Sequence, residues 1–394
     1  MSQRETQSKF DAEGVCRKLQ PTALILSTPV FSRFFCVAGE FLVQRKGIVR
    51  VHGSATTNGR RFSSPLFAAA LCLFSWGMLA SAHSSAAEKS APILEAGTAR
   101  FESVADETKT PPRFRLESHE FPFQLRWREV ESSRFQVADV TFPSPVKTPH
   151  ERNNTVHAEY YQARGEGKRP AVIVLHILGG DFTLSRLFCH SLNQSGTSAL
   201  FVKMPYYGPR SEPGVSRRMI AEDPDETVEG MTQAVLDIRR AAAFLASRKE
   251  IDAERIGVLG VSLGGITAAL AAEAEPRIKN VCLLLAGGDF PTIAAESREF
   301  ARQRAAFQAS GKDGEHFNRT IGDVDPLRYA ELLKERRVLM LNAKDDEVIP
   351  RRCTVALWEA AGKPEIVWLE GGHYSVIRHL PAALHRANRF FEKN

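Results

Sequence analysis

The sequence has few cysteines and lacks the spacings that a cysteine-based site requires. Six cysteines occur in 394 residues, and no two of them form a Cys-x-x-Cys pair. This distribution argues against a zinc site and a disulfide framework, and it favours small buried hydrophobic roles for Cys282 and Cys353. The His-Glu-x-x-His pattern of zinc hydrolases is also missing from the sequence. We therefore expect neither a metal nor another cofactor.

The sequence also lacks a block of one charge. The formal net charge is +6, and lysines and arginines are interspersed with acidic residues along the chain. Nucleic-acid-binding proteins typically combine a basic patch with a recognisable binding module. The sequence predicts a protein without a nucleic-acid partner.

The apolar run that follows Arg60 and Arg61 is too short to span a membrane. It has about 16 mostly apolar residues, fewer than the roughly 20 that a spanning helix needs, and it ends in Ala80-Ser81-Ala82. Arginines, a short apolar run and a small-x-small site together predict a signal peptide over residues 59–82. We expect an exported protein, periplasmic or extracellular, with no stable membrane insertion after signal cleavage.

Residues 1–58 precede this signal without a clear pattern of their own. Because export signals begin near the N-terminus, we interpret residues 1–58 as an unstructured or misannotated extension, with translation starting downstream of Met1. Residues 83–150 contain short extended stretches such as RFQVADVTF and are predicted to be a lead-in with edge strands.

Residues 151–394 show the alternation of an α/β domain. Fully apolar runs such as AVIVLHIL, RIGVLGVS and RVLMLNA are separated by helical segments. Strands that are apolar throughout are buried on both faces, and intervening helices imply a mostly parallel sheet. We predict a three-layer α/β sandwich. The charged stretch 290–325 lacks an apolar strand and is expected to be an insertion above the sheet, a candidate lid.

One serine stands where such a sheet presents its ligands. Gly260-Val261-Ser262-Leu263-Gly264 connects an apolar strand to a helix of small residues. A side chain on this sharp turn projects above the carboxyl edge of the sheet, and the flanking glycines prevent clashes. We interpret Ser262 as a nucleophile; the alternative is a structural turn residue.

A serine nucleophile needs a base and an acid that orients the base. Lys344-Asp345-Asp346 follows the strand RVLMLNA, and His373 follows the strand EIVWLEGG. All of these residues lie just beyond strand ends, on the same predicted edge as Ser262. His373 is the predicted base and Asp346 the predicted acid, with Asp345 as the alternative acid.

The chain resembles the α/β-hydrolase superfamily, and within it the dienelactone hydrolase-like and acetyl-ester-hydrolysing branch. The resemblance rests on GVSLGG at the serine, Asp346-Glu347-Val348-Ile349-Pro350, Gly372-His373 and the chain order Ser, Asp, His. It implies an α/β-hydrolase fold over most of the chain. Dienelactone hydrolases carry a cysteine nucleophile at the position of Ser262.

The resemblance also implies an oxyanion hole of backbone N–H groups. One donor is expected at Leu263 and the second at Leu178, with Ile177 and Gly179 as alternatives. His176 in the same loop is expected to orient the loop rather than to act as a catalyst. The segment from Met204 to Arg210 either lines a pocket or packs a loop.

These residues predict a serine hydrolase of carboxylic esters that works through an acyl-enzyme intermediate. The expected partner is a small-molecule or polymer-borne ester. One alternative is a peptidase of the prolyl oligopeptidase type, although the region before the core is too short for the propeller of such enzymes. The other is a non-catalytic binding protein with the hydrolase fold.

Overall fold

The computed structural model describes residues 93–103, 107–129, 135–180, 182–309, 311 and 313–392. These residues belong to one compact unit. The predicted extension 1–58 and signal peptide 59–82 lie outside the described residues, as do Cys16, Cys36 and Cys72.

The described residues build one ten-stranded sheet with the order β1-β2-β3-β4-β6-β5-β7-β8-β9-β10. Strands β6, β5, β7, β8, β9 and β10 are parallel, and β1 to β4 extend the sheet in antiparallel pairing. The strand bounds are β1 Leu94–Phe101, β2 His119–Trp127, β3 Phe135–Pro143, β4 Thr155–Ala163, β5 Arg169–Leu175, β6 Ser198–Lys203, β7 Ile251–Val261, β8 Ile278–Leu284, β9 Arg337–Ala343 and β10 Glu365–Leu369.

Helices cover both faces of the sheet. The bounds are α1 Thr183–Gln194, α2 Pro224–Ser247, α3 Leu263–Ala274, α4 Phe290–Glu296, α5 Ala301–Ala309, α6 Gly314–Gly322, α7 Arg351–Ala360 and α8 Leu380–Glu392. Helices α2, α3 and α7 contribute to one hydrophobic core, and α1 and α8 contribute to a second core. The predicted three-layer α/β sandwich is confirmed. No helix of the described part combines the length and hydropathy needed to cross a bilayer.

The central strands are buried because both of their faces are apolar. In β5 the side chains of Ile173 and Leu175 pack in the first core, and those of Val172 and Val174 pack in the second. Alternate side chains of a strand point to opposite faces, so a run without polar residues must be covered by helices on each side. Because these strands are parallel, their carboxyl ends lie side by side along one end of the sheet.

The N-terminal strands join this sheet directly. Strand β3 pairs with β4 over nine consecutive residue pairs, from Phe135 with Ala163 to Pro143 with Thr155. Strand β2, which no apolar run marks in the sequence, alternates buried and exposed side chains with Phe121, Phe123 and Leu125 inward. The predicted β lead-in is thus an antiparallel edge of the main sheet.

Two helices begin earlier than their apolar patterns suggest. The sequence indicates a helix from Thr227, whereas α2 starts at Pro224 because the Asp223 side chain accepts a hydrogen bond from the Asp225 N–H and caps the first turn. The sequence also indicates that the helix of small residues begins at Gly265, whereas α3 starts at Leu263. The predicted insertion 290–325 corresponds to α4, α5 and α6 between β8 and β9.

Candidate active site

Ser262 lies on the turn between β7 and α3 with a backbone conformation that side chains rarely adopt. Its φ is 55° and its ψ is −118°. Such a conformation costs on the order of 1–3 kcal/mol and persists only where the surroundings enforce it. Here the Ser262 N–H donates to the Leu284 carbonyl at 2.8 Å, and the Ile266 N–H donates to the Ser262 carbonyl at 3.0 Å. One hydrogen bond to strand β8 and one within helix α3 therefore hold the turn.

The two glycines that flank Ser262 are required by close backbone contacts. A Cβ on Gly260 would lie 2.0 Å from the Gly264 carbonyl oxygen, and one on Gly264 would lie 2.6 Å from the His176 carbonyl oxygen. Atoms at these distances overlap, so any larger residue would displace the turn. The Gly-x-Ser-x-Gly pattern therefore has a steric basis at both ends.

Three side chains that are distant in sequence meet at this edge of the sheet. Ser262 Oγ lies 2.9 Å from His373 Nε2, and His373 Nδ1 lies 2.9 Å from both carboxylate oxygens of Asp346. The side chains of His373 and Asp346 are 7% and 2% exposed. With Nδ1 donating to the carboxylate, Nε2 is left as the acceptor for the serine hydroxyl. This arrangement can remove a proton from Ser262.

Of the two candidate acids, Asp346 is the one that contacts the imidazole. Its Oδ1 also accepts hydrogen bonds from the Val348 N–H at 2.9 Å and the Ile349 N–H at 2.7 Å, which fix the carboxylate. Asp345 is exposed, and its backbone N–H donates to the Gly371 carbonyl. The turn therefore directs Asp346 inward and Asp345 outward.

Glu347, which no sequence pattern singled out, holds the histidine loop. Glu347 Oε2 accepts a hydrogen bond from the His373 backbone N–H at 2.8 Å. Gly372 is needed beside it, since a Cβ there would lie 2.1 Å from the same carboxylate oxygen. The adjacency of Glu347 to Asp346 in the sequence was the available signal, because a turn that presents one carboxylate to His373 brings its neighbour close as well.

The loop after β5 is organised by a buried neutral histidine. His176 Nε2 accepts a hydrogen bond from the Met204 N–H at 3.1 Å, and Nδ1 lies 2.8 Å from the Ile177 carbonyl oxygen. Burial lowers the pKa of His176 to about 4. This residue thus joins two loops and has no contact with Ser262 among its hydrogen bonds. It has the orienting role that the sequence suggested.

The segment from Met204 to Arg210 packs a loop and does not line the cavity at Ser262. Arg210 is fully buried, with its guanidinium 2.8 Å from the Asp237 carboxylate and within hydrogen-bond distance of the Lys203 and Asn153 carbonyls. The Tyr207 ring packs edge-on against the His176 ring, with the ring centres 4.7 Å apart. Of the two roles considered from the sequence, the structural one applies.

Ser262 and His373 open into a cavity of about 1020 Å³. Its lining is predominantly apolar and includes the two residues predicted for the oxyanion hole, Leu178 and Leu263, together with the alternative Ile177. Helices α4, α5 and α6 supply part of the wall, so the predicted insertion lies beside the serine. The site is concave, apolar and furnished with a few polar groups, as small-molecule sites commonly are.

The three cysteines that the structure describes are unpaired and buried. They are Cys189, Cys282 and Cys353. Burial raises the pKa of the Cys353 thiol to about 12, so it stays protonated at neutral pH. Cys282 and Cys353 are the small buried residues that the sequence favoured. Within the described ranges, no group of three or more His, Cys, Asp or Glu side chains is arranged to hold a metal ion.

Comparison with protein families identifies this chain. The family model described as "Alpha/beta hydrolase domain containing 18" matches residues 99–297, just over half of the chain. The chain belongs to this family. A second model, for the prolyl oligopeptidase family, matches residues 231–367, which contain the Ser262 turn and Asp346. The predicted membership of the α/β-hydrolase superfamily is thereby confirmed.

Curated relatives of this α/β-hydrolase are only partly comparable with it. It is 32% identical over 193 residues to an uncharacterized protein of Mycobacterium tuberculosis. The aligned residues make up 48% of this chain and 45% of that protein. The chain therefore spans less than half of the length of that relative. It is 21% identical over 234 residues to esterase YjfP of Escherichia coli K12, which covers 57% of this chain and 89% of the esterase.

Solved structures share the fold of this α/β-hydrolase. The acetyl xylan esterase from Paenibacillus sp. R4 superposes with a TM-score of 0.56 at 21% identity, over 68% of this chain and 88% of that one. Acetyl xylan esterase 1 from Thermoanaerobacterium sp. superposes with a TM-score of 0.55 at 20% identity, over 69% and 87%. At this identity the similarity establishes the fold alone.

Proposed function

We propose that this protein is a serine hydrolase of carboxylic esters. In this mechanism Ser262 Oγ attacks the acyl carbon while His373 Nε2 takes its proton. His373 then returns the proton to the leaving alcohol, and an acyl-enzyme remains on Ser262. Water, deprotonated by the same imidazole, releases the carboxylic acid and restores the serine hydroxyl.

The observation that supports this proposal most is the unbroken chain of contacts from Ser262 through His373 to Asp346. Each of its links is 2.9 Å long, within hydrogen-bond distance. Asp346 keeps the proton of the neutral imidazole on Nδ1 and stabilises the imidazolium that forms during attack. The strained turn adds support, because strain of this kind concentrates at functional sites.

The proposed oxyanion hole consists of the backbone N–H groups of Leu263 and Leu178. Leu263 is the first residue of α3, so its N–H has no carbonyl partner within the helix and is available to a ligand. Leu178 belongs to the loop that His176 anchors. Such donors stabilise the negative charge on the carbonyl oxygen during attack.

Labelling with a fluorophosphonate probe tests the proposal. We expect the wild type to be labelled and to hydrolyse p-nitrophenyl esters, and Ser262→Ala to lose both properties. Ser211→Ala is the matched control, because Ser211 is an exposed serine outside the cavity lining. A folded wild-type protein without labelling would favour the non-catalytic alternative.

A peptidase of the prolyl oligopeptidase type is the second candidate, supported by the family match over residues 231–367. Such a peptidase would use the same three side chains but cleave an amide. Proline-containing p-nitroanilide peptides separate the two candidates. Their turnover at rates comparable with those of the esters would favour the peptidase.

We also propose export, on the pattern of residues 59–82 alone. The combination of two arginines, a short apolar run and Ala80-Ser81-Ala82 supports it. Mass spectrometry of the native protein tests it. A mature N-terminus near His83 is expected, and peptides from residues 1–50 in the native protein would contradict it.

A further inference from the structure

The cavity at Ser262 has walls on both faces of the sheet. The wall on the insertion side belongs to the core of α2, α3 and α7 and includes Phe290, Ile293, Phe317 and Ile321. The wall on the α8 side belongs to the opposite core and includes Phe188, Leu341, Val376, Leu380 and Ala383. Ser262 follows the end of β7, at the sheet edge where the two cores meet. Apolar space therefore extends to either side of the serine.

The charged groups of the lining are occupied by the protein itself. Besides His373, the charged side chains among the described lining residues are Glu222, Glu299 and Arg304. Arg304 donates to the Ala294 carbonyl at 2.6 Å, and Glu299 accepts from the Tyr374 hydroxyl at 2.7 Å. Glu222 is half exposed and pairs with Arg302 at 3.1 Å. Each of these side chains therefore already has a partner within the protein, although only Glu222 is paired with an opposite charge, and apolar residues make up most of the remaining lining.

Two large hydrophobic side chains of the lining are exposed, beside the exposed polar side chains of Glu222, Glu299, Gln308 and Asn318. Tyr374 and Ile377 both belong to the lining and are 62% and 58% exposed. These two side chains offer apolar contacts to a molecule that enters the cavity.

We infer that the substrate is an uncharged ester with an apolar group of several carbons on each side of the ester bond, the acyl group against one wall and the alcohol group against the other. The inference rests on the proposed function and names its substrate class. A cavity of about 1020 Å³ is at the upper end of the roughly 300–1,000 Å³ range of small-molecule sites. An acetyl group would leave most of it empty.

The inference is tested by the dependence of hydrolysis on the length of the acyl chain and of the alcohol chain of the ester. Each methylene that moves from water into an apolar wall improves transition-state binding, which corresponds to about a fourfold gain in kcat/KM. We expect kcat/KM to rise from p-nitrophenyl acetate to the octanoate. In a second series, alkyl hexanoates followed by acid release, we expect it to rise from the methyl to the hexyl ester.

Variants that place a larger side chain on one wall test which wall contacts the acyl group and which contacts the alcohol group. Ala294→Phe fills the insertion side and Ala383→Phe the α8 side, since both alanines line the cavity. One variant should lower the octanoate-to-acetate ratio at least tenfold, and the other should do the same to the hexyl-to-methyl ratio. The exposed alanines Ala305 and Ala382 lie outside the lining, so Ala305→Phe and Ala382→Phe are matched controls that keep both ratios. If Ala383→Phe does not fold, Leu380→Trp replaces it.

The outcomes separate this inference from the proposed function. Flat series in both directions, from a wild type that fluorophosphonate labels, would overturn the two-sided apolar substrate and leave the esterase proposal standing. If both wall variants lowered the same one of the two ratios, the placement of the acyl group against one wall and the alcohol group against the other would be overturned. Calorimetry of hexyl hexanoate with the Ser262→Ala variant tests the cavity without turnover. We expect binding that the wall variants weaken, and its absence would overturn the inference whether or not the wild type is an esterase.

Discussion

The carboxyl edge of the sheet and the insertion at α4 to α6 differ in how they are held. At the edge, Ser262 and Asp346 follow the buried strands β7 and β9, and His373 follows the outermost strand β10. Backbone hydrogen bonds fix their turns. The insertion consists of short helices with mostly exposed or half-buried side chains. Asp325 anchors its ends by accepting hydrogen bonds from the N–H groups of Asp289, Phe290 and Leu327. The sheet thus determines where the chemistry lies, and the insertion shapes the space around it.

The largest expected effect tests the edge of the sheet. Asp346→Asn should lower kcat by about 10⁴-fold, because an amide cannot stabilise the imidazolium and favours the wrong tautomer of His373. Asp345→Asn is the matched control. It changes an exposed carboxylate one residue away, so kcat should stay within about twofold of the wild type. Steady-state kinetics with p-nitrophenyl esters decides it, and equal losses in the two variants would disprove the assignment of Asp346.

The residues of this edge could be predicted because their signals are local. Gly260-Val261-Ser262-Leu263-Gly264 and the residues after β9 and β10 are read directly from apolar runs and the polar residues that end them. Parallel strands bring their carboxyl ends together, so local patterns were enough to place distant residues side by side. The choice between Asp345 and Asp346 needed the backbone of the turn, which two adjacent carboxylates do not reveal.

Other features could not be predicted because they depend on contacts between distant elements. The contact of Glu347 with the His373 N–H depends on the approach of two loops that are 26 residues apart. Strand β2 was missed because Pro122 and charged residues interrupt its sequence, although Phe121, Phe123 and Leu125 alternate inward. The cavity walls combine residues from both cores, and no periodicity within one segment reports such a combination.

Alanine substitutions at two glycines, one at the sheet edge and one in the insertion, should change the free energy of unfolding in opposite directions. Gly260→Ala at the edge should destabilise the protein by about 3 kcal/mol, since the new Cβ would lie 2.0 Å from the Gly264 carbonyl oxygen. Gly322→Ala in α6 meets no atom within 4 Å and should stabilise it by about 0.5 kcal/mol, because alanine favours a helix. Urea unfolding measures both free energies. The same sign for both would contradict the steric account of the edge.

The pH dependence of stability tests how the edge is supported. The pKa of buried His176 is about 4, below its ordinary value of 6.5, so the unfolded state binds a proton that the folded state rejects as the pH falls through this window. The contribution of neutral His176 to the free energy of unfolding is complete above pH 6.5 and decreases as the pH falls towards 4. Between pH 7.5 and pH 5.0 it should account for a loss of about 2 kcal/mol.

The free energy of unfolding of His176→Gln, measured at pH 7.5 and pH 5.0, isolates the contribution of His176 protonation. Glutamine keeps a donor and an acceptor for Ile177 and Met204 but does not titrate. The variant should therefore lose about 2 kcal/mol less than the wild type on acidification, even if it is less stable at both pH values. Identical pH dependence in the two proteins would assign the acid sensitivity to other groups.

The smallest expected effect concerns the contact that joins the two regions. The Tyr374 hydroxyl donates to Glu299 of the insertion at 2.7 Å, and the Tyr374 ring packs edge-on against the His373 ring with their centres 5.4 Å apart. Tyr374→Phe removes the hydrogen bond and keeps the ring. Because the contact is exposed, we expect a loss of about 0.5 kcal/mol, seen as about a twofold rise in KM for long esters with kcat unchanged. A double-mutant cycle with Glu299→Ala should show that the two changes are not additive. A fall in kcat instead would mean that the hydroxyl supports His373, and the insertion would then take part in positioning the chemistry as well as in shaping the cavity.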